Sequence, residues 1–166
     1  METRVRFRVA ALPLESFAPL FGLDDAGLAR HGARRCVADH KPGYPCRVSL
    51  IDAEPGERVL VFPFTFHDVA SPYRASGPIY VRERAEQARP NVNEVPEVVR
   101  GRLLSVRAYD SAGFMLHAEV TEGRALEEAI DRFFADECVA YLHLHNAKPG
   151  CYSCRVDRVA KREVPA

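Results

Sequence analysis

Histidine and cysteine residues cluster late in the sequence, where His143-x-His145 is followed by Cys151-x-x-Cys154. On a β-strand, the two histidines would point to the same face because successive side chains alternate. Two imidazoles and two thiolates can hold zinc tetrahedrally. A single CxxC pair is weaker evidence than two, and a thiol within a strand commonly packs in a core. We therefore predict no cofactor, with zinc bound by His143, His145, Cys151 and Cys154 as an alternative.

Cys151 is also a candidate catalytic nucleophile. It follows Gly150 at a predicted turn, and His145 could act as its partner, since a Cys–His pair is the minimum arrangement for thiol catalysis. Arg155 is close in sequence, and a nearby cation favours the reactive thiolate. The alternative is that the cysteines are inert turn and core residues, because a chain with five cysteines and six histidines contains such pairs by chance.

A polar loop from His67 to Gly77 separates two apolar segments. Tyr73, Arg74, Ser76 and Gly77 bring hydroxyls, a guanidinium and an accessible backbone amide, which suit a carboxylate or a phosphate. Loops on a rigid sheet often carry binding groups. The alternative is a surface connection in which Arg74 pairs with an acidic neighbour.

These observations predict a pocket that joins the Tyr73–Gly77 loop to the 143–152 hairpin, and a domain that binds a small anionic or polar ligand, whether or not it is an enzyme. The candidate ligand-binding residues are Tyr73, Arg74, Ser76, Gly77, His145 and Tyr152. Two other functions remain open: a non-catalytic interaction or structural module, and a structural zinc-binding domain.

The elements that would position these residues are mostly hairpins. Alternating Phe7 and Val9 predict a first strand, and segments 34–40 and 46–52 read as two strands joined by KPGYP. An apolar stripe with helical spacing predicts one longer helix near 124–136. We predict an α+β fold with a mostly antiparallel, hairpin-rich sheet of about eight strands and three or four short helices.

An internal similarity links KPGYPCRVS at 41–49 to KPGCYSCRVD at 148–157. One interpretation is that two hairpins use the same favourable turn residues. The other is an ancient duplication whose two turns meet at one site. Nine residues are too few to establish duplication, and no wider repeat accompanies them.

The composition limits the classes of protein that fit. The length of 166 residues predicts a single domain, 1–166. Lys+Arg and Asp+Glu are both 23, so a nucleic-acid partner is not expected. No stretch is long and apolar enough for a membrane partner. The five cysteines suggest reduced thiols in the cytoplasm. A homo-oligomer is neither indicated nor excluded.

Five segments carry a family resemblance: KPGYPCRVSL, AEPGERVL, SPYRASGPIYVR, EVPEVVRGRLLSVRAYD and VAYLHLHNAKPGCY. Together they resemble the bacterial domain-of-unknown-function family 1203, over nearly the whole chain. The resemblance implies a stand-alone bacterial domain and no particular reaction. It also implies that the second cysteine of CYSC is often absent, so chemistry that needs Cys154 would not be a family trait.

Overall fold

The computed structural model describes residues 4–160. Its strands are β1 Phe7–Ala10, β2 Arg34–Val37, β3 Arg58–His67, β4 Ala75–Arg82, β5 Leu103–Tyr109, β6 Met115–Glu122, β7 Tyr141–Asn146 and β8 Tyr152–Arg158. Its α-helices are α1 Ala18–Phe21, α2 Asp25–Arg30, α3 Glu97–Arg100 and α4 Leu126–Phe134. Short 3-10 turns cover Leu14–Ser16 and Gly123–Ala125.

The strands form two antiparallel sheets. Five strands are ordered β1-β8-β7-β5-β6, and three are ordered β2-β3-β4. The predicted α+β class and the mostly antiparallel pairing are confirmed, as is the longer helix within 124–136. The difference is that the eight strands in the described part of the chain are divided between two sheets.

The larger core lies between α4 and one face of the five-stranded sheet. Alternation along β5 and β7 sends Leu104, Val106, Leu142 and Leu144 to this face. The helix contributes a fully buried stripe of Leu126, Ala129, Ile130, Phe133 and Phe134. Burying each large side chain of this kind contributes about 1.5–3 kcal/mol, so this layer dominates the packing energy of the sheet.

The smaller core lies between the three-stranded sheet and the first helices. Phe17 and Leu28 pack there against Leu60, Phe62 and Ile79. Asp24 is the N-cap of α2, because its carboxylate accepts a hydrogen bond of 2.7 Å from the Gly27 amide.

The strand predicted over 46–52 is wrong. The segment turns back on itself: the Leu50 amide donates to the Cys46 carbonyl at 3.1 Å, and Leu50 has φ +53°. The apolar alternation has another cause, since Val48 is buried in the smaller core and Leu50 in the larger one. The pattern therefore reflects a coil between two cores and not one face of a sheet.

The late hairpin was predicted correctly. β7 pairs with β8, and Gly150 in the connecting turn has φ +78°, a conformation that suits glycine. The strands place the 147–151 turn at one end of the five-stranded sheet. No helix within residues 4–160 combines the length and the apolar character needed to cross a membrane.

Candidate functional site

His143 and His145 lie on the same face of the sheet, as the alternation predicted, and that face is the one opposite α4. Across this face, Arg107 and Arg155 flank His143 in the strand register. His145 Nδ1 lies 3.0 Å from the Gly150 carbonyl oxygen, so Nδ1 carries the proton and donates. Burial lowers the pKa of His145 to about 4, and its other nitrogen, Nε2, is an acceptor with no partner among residues 4–160.

His143 belongs to a buried cluster of aromatic rings. Its ring centroid lies 4.9 Å from that of His67, whose Nε2 is 2.7 Å from the Tyr141 hydroxyl. Burial, together with the other two imidazoles, lowers the pKa of His143 to about 3. Its Nδ1 is buried without a hydrogen-bond partner in the described residues. His143 and His145 are therefore neutral groups inside the protein and not exposed bases.

Tyr152 is covered by the end of β3. Its ring stacks on Phe66 at a centroid distance of 5.0 Å and an interplanar angle of 5°. Burial raises the pKa of its hydroxyl. Of the residues predicted on the late hairpin, Tyr152 and His145 thus face the interior between the two sheets.

Cys151 faces a different space, which we call the two-turn pocket. This cavity of about 600 Å³ lies between the Pro-Gly turn at 42–45 and the Pro-Gly turn of the late hairpin, which together with the last residue of β7 spans 146–151. The two turns contribute Pro42, Gly43, Pro45, Asn146, Ala147, Lys148, Pro149 and Cys151. The remaining wall consists of Tyr80, Gly101, Arg102 and Leu103.

The Cys151 sulfur accepts from two nitrogens. Arg47 Nη2 lies 3.3 Å away and Asn146 Nδ2 lies 3.6 Å away. Arg47 is only 1% exposed, and it also donates to the carbonyls of Tyr152, at 2.8 Å, and Pro45. Its guanidinium therefore stands directly behind the sulfur that lines the pocket.

Arg47 carries a buried charge that no carboxylate balances at close range. Within residues 4–160, no carboxylate oxygen lies within 4.0 Å of its guanidinium nitrogens. Burial lowers the pKa of the guanidinium. The guanidinium nevertheless stays protonated, because its ordinary pKa is very high. A buried ion without a partner is costly, so a negative group near the Cys151 sulfur would be stabilised.

Two more cations lie at the pocket. Arg102 donates to both carboxylate oxygens of Asp52, at 2.7 and 2.9 Å, and Lys148 is exposed at the rim. Arg47 lies behind Cys151, so three cationic groups and the Asp52 carboxylate lie at or next to the pocket, and the residues that line it include no acidic side chain. Positive groups therefore outnumber negative ones there.

The predicted 73–77 loop lies elsewhere. Arg74 pairs with Asp68 at 2.9 Å, and both side chains are mostly exposed. The Tyr73 ring packs near Tyr109, and Gly77 lies within β4 opposite Phe64. The residues that line the two-turn pocket do not include Tyr73, Arg74, Ser76 or Gly77. The structure brings Cys151 together with the first Pro-Gly turn instead.

The four residues of the zinc alternative are split between the two faces of the sheet. Cys154 is buried in the larger core with Leu144, where burial raises its pKa to about 12, whereas His143 and His145 lie on the opposite face. In the described part of the chain, no group of three or more His, Cys, Asp or Glu residues could hold a metal ion.

Sequence reasoning overlooked Arg47, Arg102 and Asn146. The internal similarity was the signal that could have found them, because both Pro-Gly turns line the pocket. Arg47 follows the first turn in the shared Cys-Arg-Val. The local structures differ, since the second copy leads into a strand and the first leads into a coil. The shared pocket therefore does not by itself establish a duplication.

A family model that describes proteins of unknown function, DUF1203, matches the chain over residues 43–158. The match extends over more than half of the sequence and includes the second turn of the pocket and residues 43–45 of the first. No curated protein and no solved structure matches the chain. The chain therefore belongs to the DUF1203 family.

Proposed function

We propose that this protein binds a small anionic molecule in the two-turn pocket. The observation that carries the proposal is the excess of positive groups: Arg102 and Lys148 line the site, Arg47 lies behind Cys151, and Asp52 is the carboxylate paired with Arg102. Arg47 supports it most strongly, because its buried charge lacks a carboxylate neighbour within residues 4–160. A carboxylate or phosphate is the complementary ligand group.

The shape and lining of the pocket also fit a small molecule. Its volume of about 600 Å³ lies in the usual range for ligand sites. Pro42, Pro45, Tyr80, Leu103 and Pro149 supply an apolar lining beside the charges. We therefore expect a ligand with an anionic end and a less polar body.

The compartment we propose is the bacterial cytoplasm. All five cysteines are free thiols, and two of them, Cys46 and Cys154, are buried as thiols in the cores. Free thiols persist in a reducing compartment, which supports this assignment. Such a compartment also offers many small carboxylates and phosphates.

Substitution of Gly101 gives a direct test of the site. Gly101 lines the pocket, a Cβ there would have no atom of a non-adjacent residue within 4 Å, and the backbone φ is −83°. Gly101→Leu should therefore fill the pocket without straining the fold. Gly22→Leu is the matched control, because Gly22 has φ −85°, equally open surroundings and no part in the pocket lining.

The measurement is a thermal-shift panel of small carboxylates and phosphates, with hits confirmed by calorimetry. We expect at least one anion to stabilise the wild type and the Gly22→Leu protein, and to stabilise Gly101→Leu much less. Binding at ten times the dissociation constant corresponds to about 1.4 kcal/mol of added stability. A panel without hits, or hits that Gly101→Leu leaves unchanged, would refute the proposal.

A further inference from the structure

We propose that Cys151 is the reactive group of the two-turn pocket, and that it undergoes thiol–disulfide exchange with anionic, peptide-like, low-molecular-weight disulfides. This inference rests on the proposed function, because the anion-binding groups would select the disulfide. It adds the chemical class of the ligand and a covalent step at a named atom.

The first support is the setting of the sulfur. Cys151 is partly exposed and lines the pocket, while Arg47 Nη2 and Asn146 Nδ2 both point their hydrogens at its sulfur. A neutral thiol is a weak acceptor, whereas a thiolate is a strong one. The two donors therefore match the nucleophilic form of the side chain, and the buried guanidinium supplies its counter-charge.

The second support is an unused acceptor in the pocket wall. Asn146 is 5% exposed and lines the pocket, and its Oδ1 has no hydrogen-bond partner among residues 4–160. Rotation of the side-chain amide, whose torsion is broad, would exchange the Nδ2–Cys151 contact for a hydrogen bond from a ligand to Oδ1, and Arg47 would remain as the donor to the sulfur. An amide N–H of a peptide-like ligand is a suitable donor. Together with the cations, this favours a small peptide that carries carboxylates.

The chemical step is balanced without any further oxidant. Cys151 first loses its proton to solvent. Its thiolate then attacks one sulfur of the disulfide, the ligand S–S bond breaks, and a Cys151–ligand S–S bond forms. The other half of the ligand leaves as a thiolate, which takes up a proton from water.

The neighbouring CxxC cysteine is not placed to reverse this step. Cys154 packs in the larger core on the far face of the sheet, and burial raises its pKa to about 12. An intramolecular disulfide between the two cysteines would require β8 to leave that core. We therefore expect the mixed disulfide at Cys151 to persist until an external thiol removes it.

The chain contains its own reference thiol. Cys138 is exposed, whereas Cys46 and Cys154 are buried. The full-length, reduced protein is treated separately with oxidised glutathione, which is anionic and peptide-like, and with cystamine, which is cationic. Peptide mass mapping after an acid quench gives the rate at Cys151 relative to Cys138 for each reagent.

We expect the Cys151:Cys138 rate ratio to be about tenfold higher with oxidised glutathione than with cystamine, which corresponds to about 1.4 kcal/mol of charge selection. Lys148→Glu should lower this preference several-fold. Arg124→Glu makes the same charge change at an exposed position outside the pocket lining, and should leave the preference unchanged. Two outcomes overturn the inference. One is the same Cys151:Cys138 rate ratio with both reagents, and the other is a slower reaction of oxidised glutathione at Cys151 than at Cys138.

This result can be separated from the proposed function. If anions stabilise the wild type but not Gly101→Leu, while Cys151 reacts no faster than Cys138, the pocket binds anions and the thiol chemistry is refuted.

Discussion

Two buried histidines should make the protein sensitive to mild acid. Burial lowers the pKa of His143 to about 3 and that of His145 to about 4, from 6.5. Both rings are almost inaccessible, with exposures of 2% and 0%. As the pH falls below 6.5, the unfolded chain takes up protons on these imidazoles while the folded chain does not. Stability must therefore fall with pH in this window.

The size of the effect follows from the same values. At pH 5 an unperturbed histidine is almost fully protonated, so each buried imidazole costs about 2 kcal/mol of stability relative to pH 7. For the pair, the loss is about 4 kcal/mol, a large share of the stability of an ordinary domain. Aspartate and glutamate contribute little between pH 7 and 5, because their ordinary pKa values lie near 4.

The assay is urea unfolding at pH 7 and pH 5 for the wild type and for two variants. His143→Phe removes one buried titrating group and should reduce the stability loss to about 2 kcal/mol. The phenyl ring should be tolerated at pH 7, because the imidazole that it replaces makes no hydrogen bond through Nδ1 to any described residue. His31→Gln changes an exposed histidine directly after α2 and should leave the loss near 4 kcal/mol.

A wild-type difference below about 1 kcal/mol between the two pH values would refute this reasoning, as would a His143→Phe protein that loses as much stability as the wild type. The first result would mean that water or a rearrangement solvates the buried rings. The second would place the acid sensitivity at other groups.

Two further substitutions test local features of the fold by urea unfolding. Gly123→Ala should destabilise the protein by several kcal/mol or prevent folding, because a Cβ there would lie 2.1 Å from the Val99 carbonyl oxygen; a loss below about 1 kcal/mol would show that α3 can move aside. Asp24→Ala should cost about 1 kcal/mol, because it removes the hydrogen bond to the Gly27 amide. Asp25→Ala, in the first turn of the same helix, should cost less, and equal losses would contradict the capping role.

Local patterns predicted most of the fold. The alternation of Phe7 and Val9 in β1, that of His143 and His145 in β7 and the helical stripe of α4 are signals within one element, and all three were interpreted correctly. The coil at 46–52 was not, because Val48 and Leu50 alternate as in a strand while serving two different cores. Which core a side chain enters depends on distant segments, and a local pattern cannot reveal it. The division of the strands into two sheets was missed for the same reason.

The candidate site shows a similar limit. Cys151 was identified from its turn and its neighbours, but its contact with Arg47 spans 104 residues of sequence. The Tyr73–Gly77 loop had a suitable composition, yet its arginine pairs locally with Asp68. Residue types indicate which chemistry is possible, whereas tertiary contacts decide which groups meet.

The strand order has a consequence for biosynthesis. Among the strands of residues 4–160, β1 pairs with β8 alone, and β8 lies between β1 and β7. The first strand of the five-stranded sheet can therefore pair only after the last has been made. On the ribosome, residues 7–10 cannot form their hydrogen bonds with β8 until residues 155–158 have emerged. We expect the three-stranded sheet and the β5–β6 hairpin to form before β8 is synthesised, and the larger sheet to close only once β8 has been made.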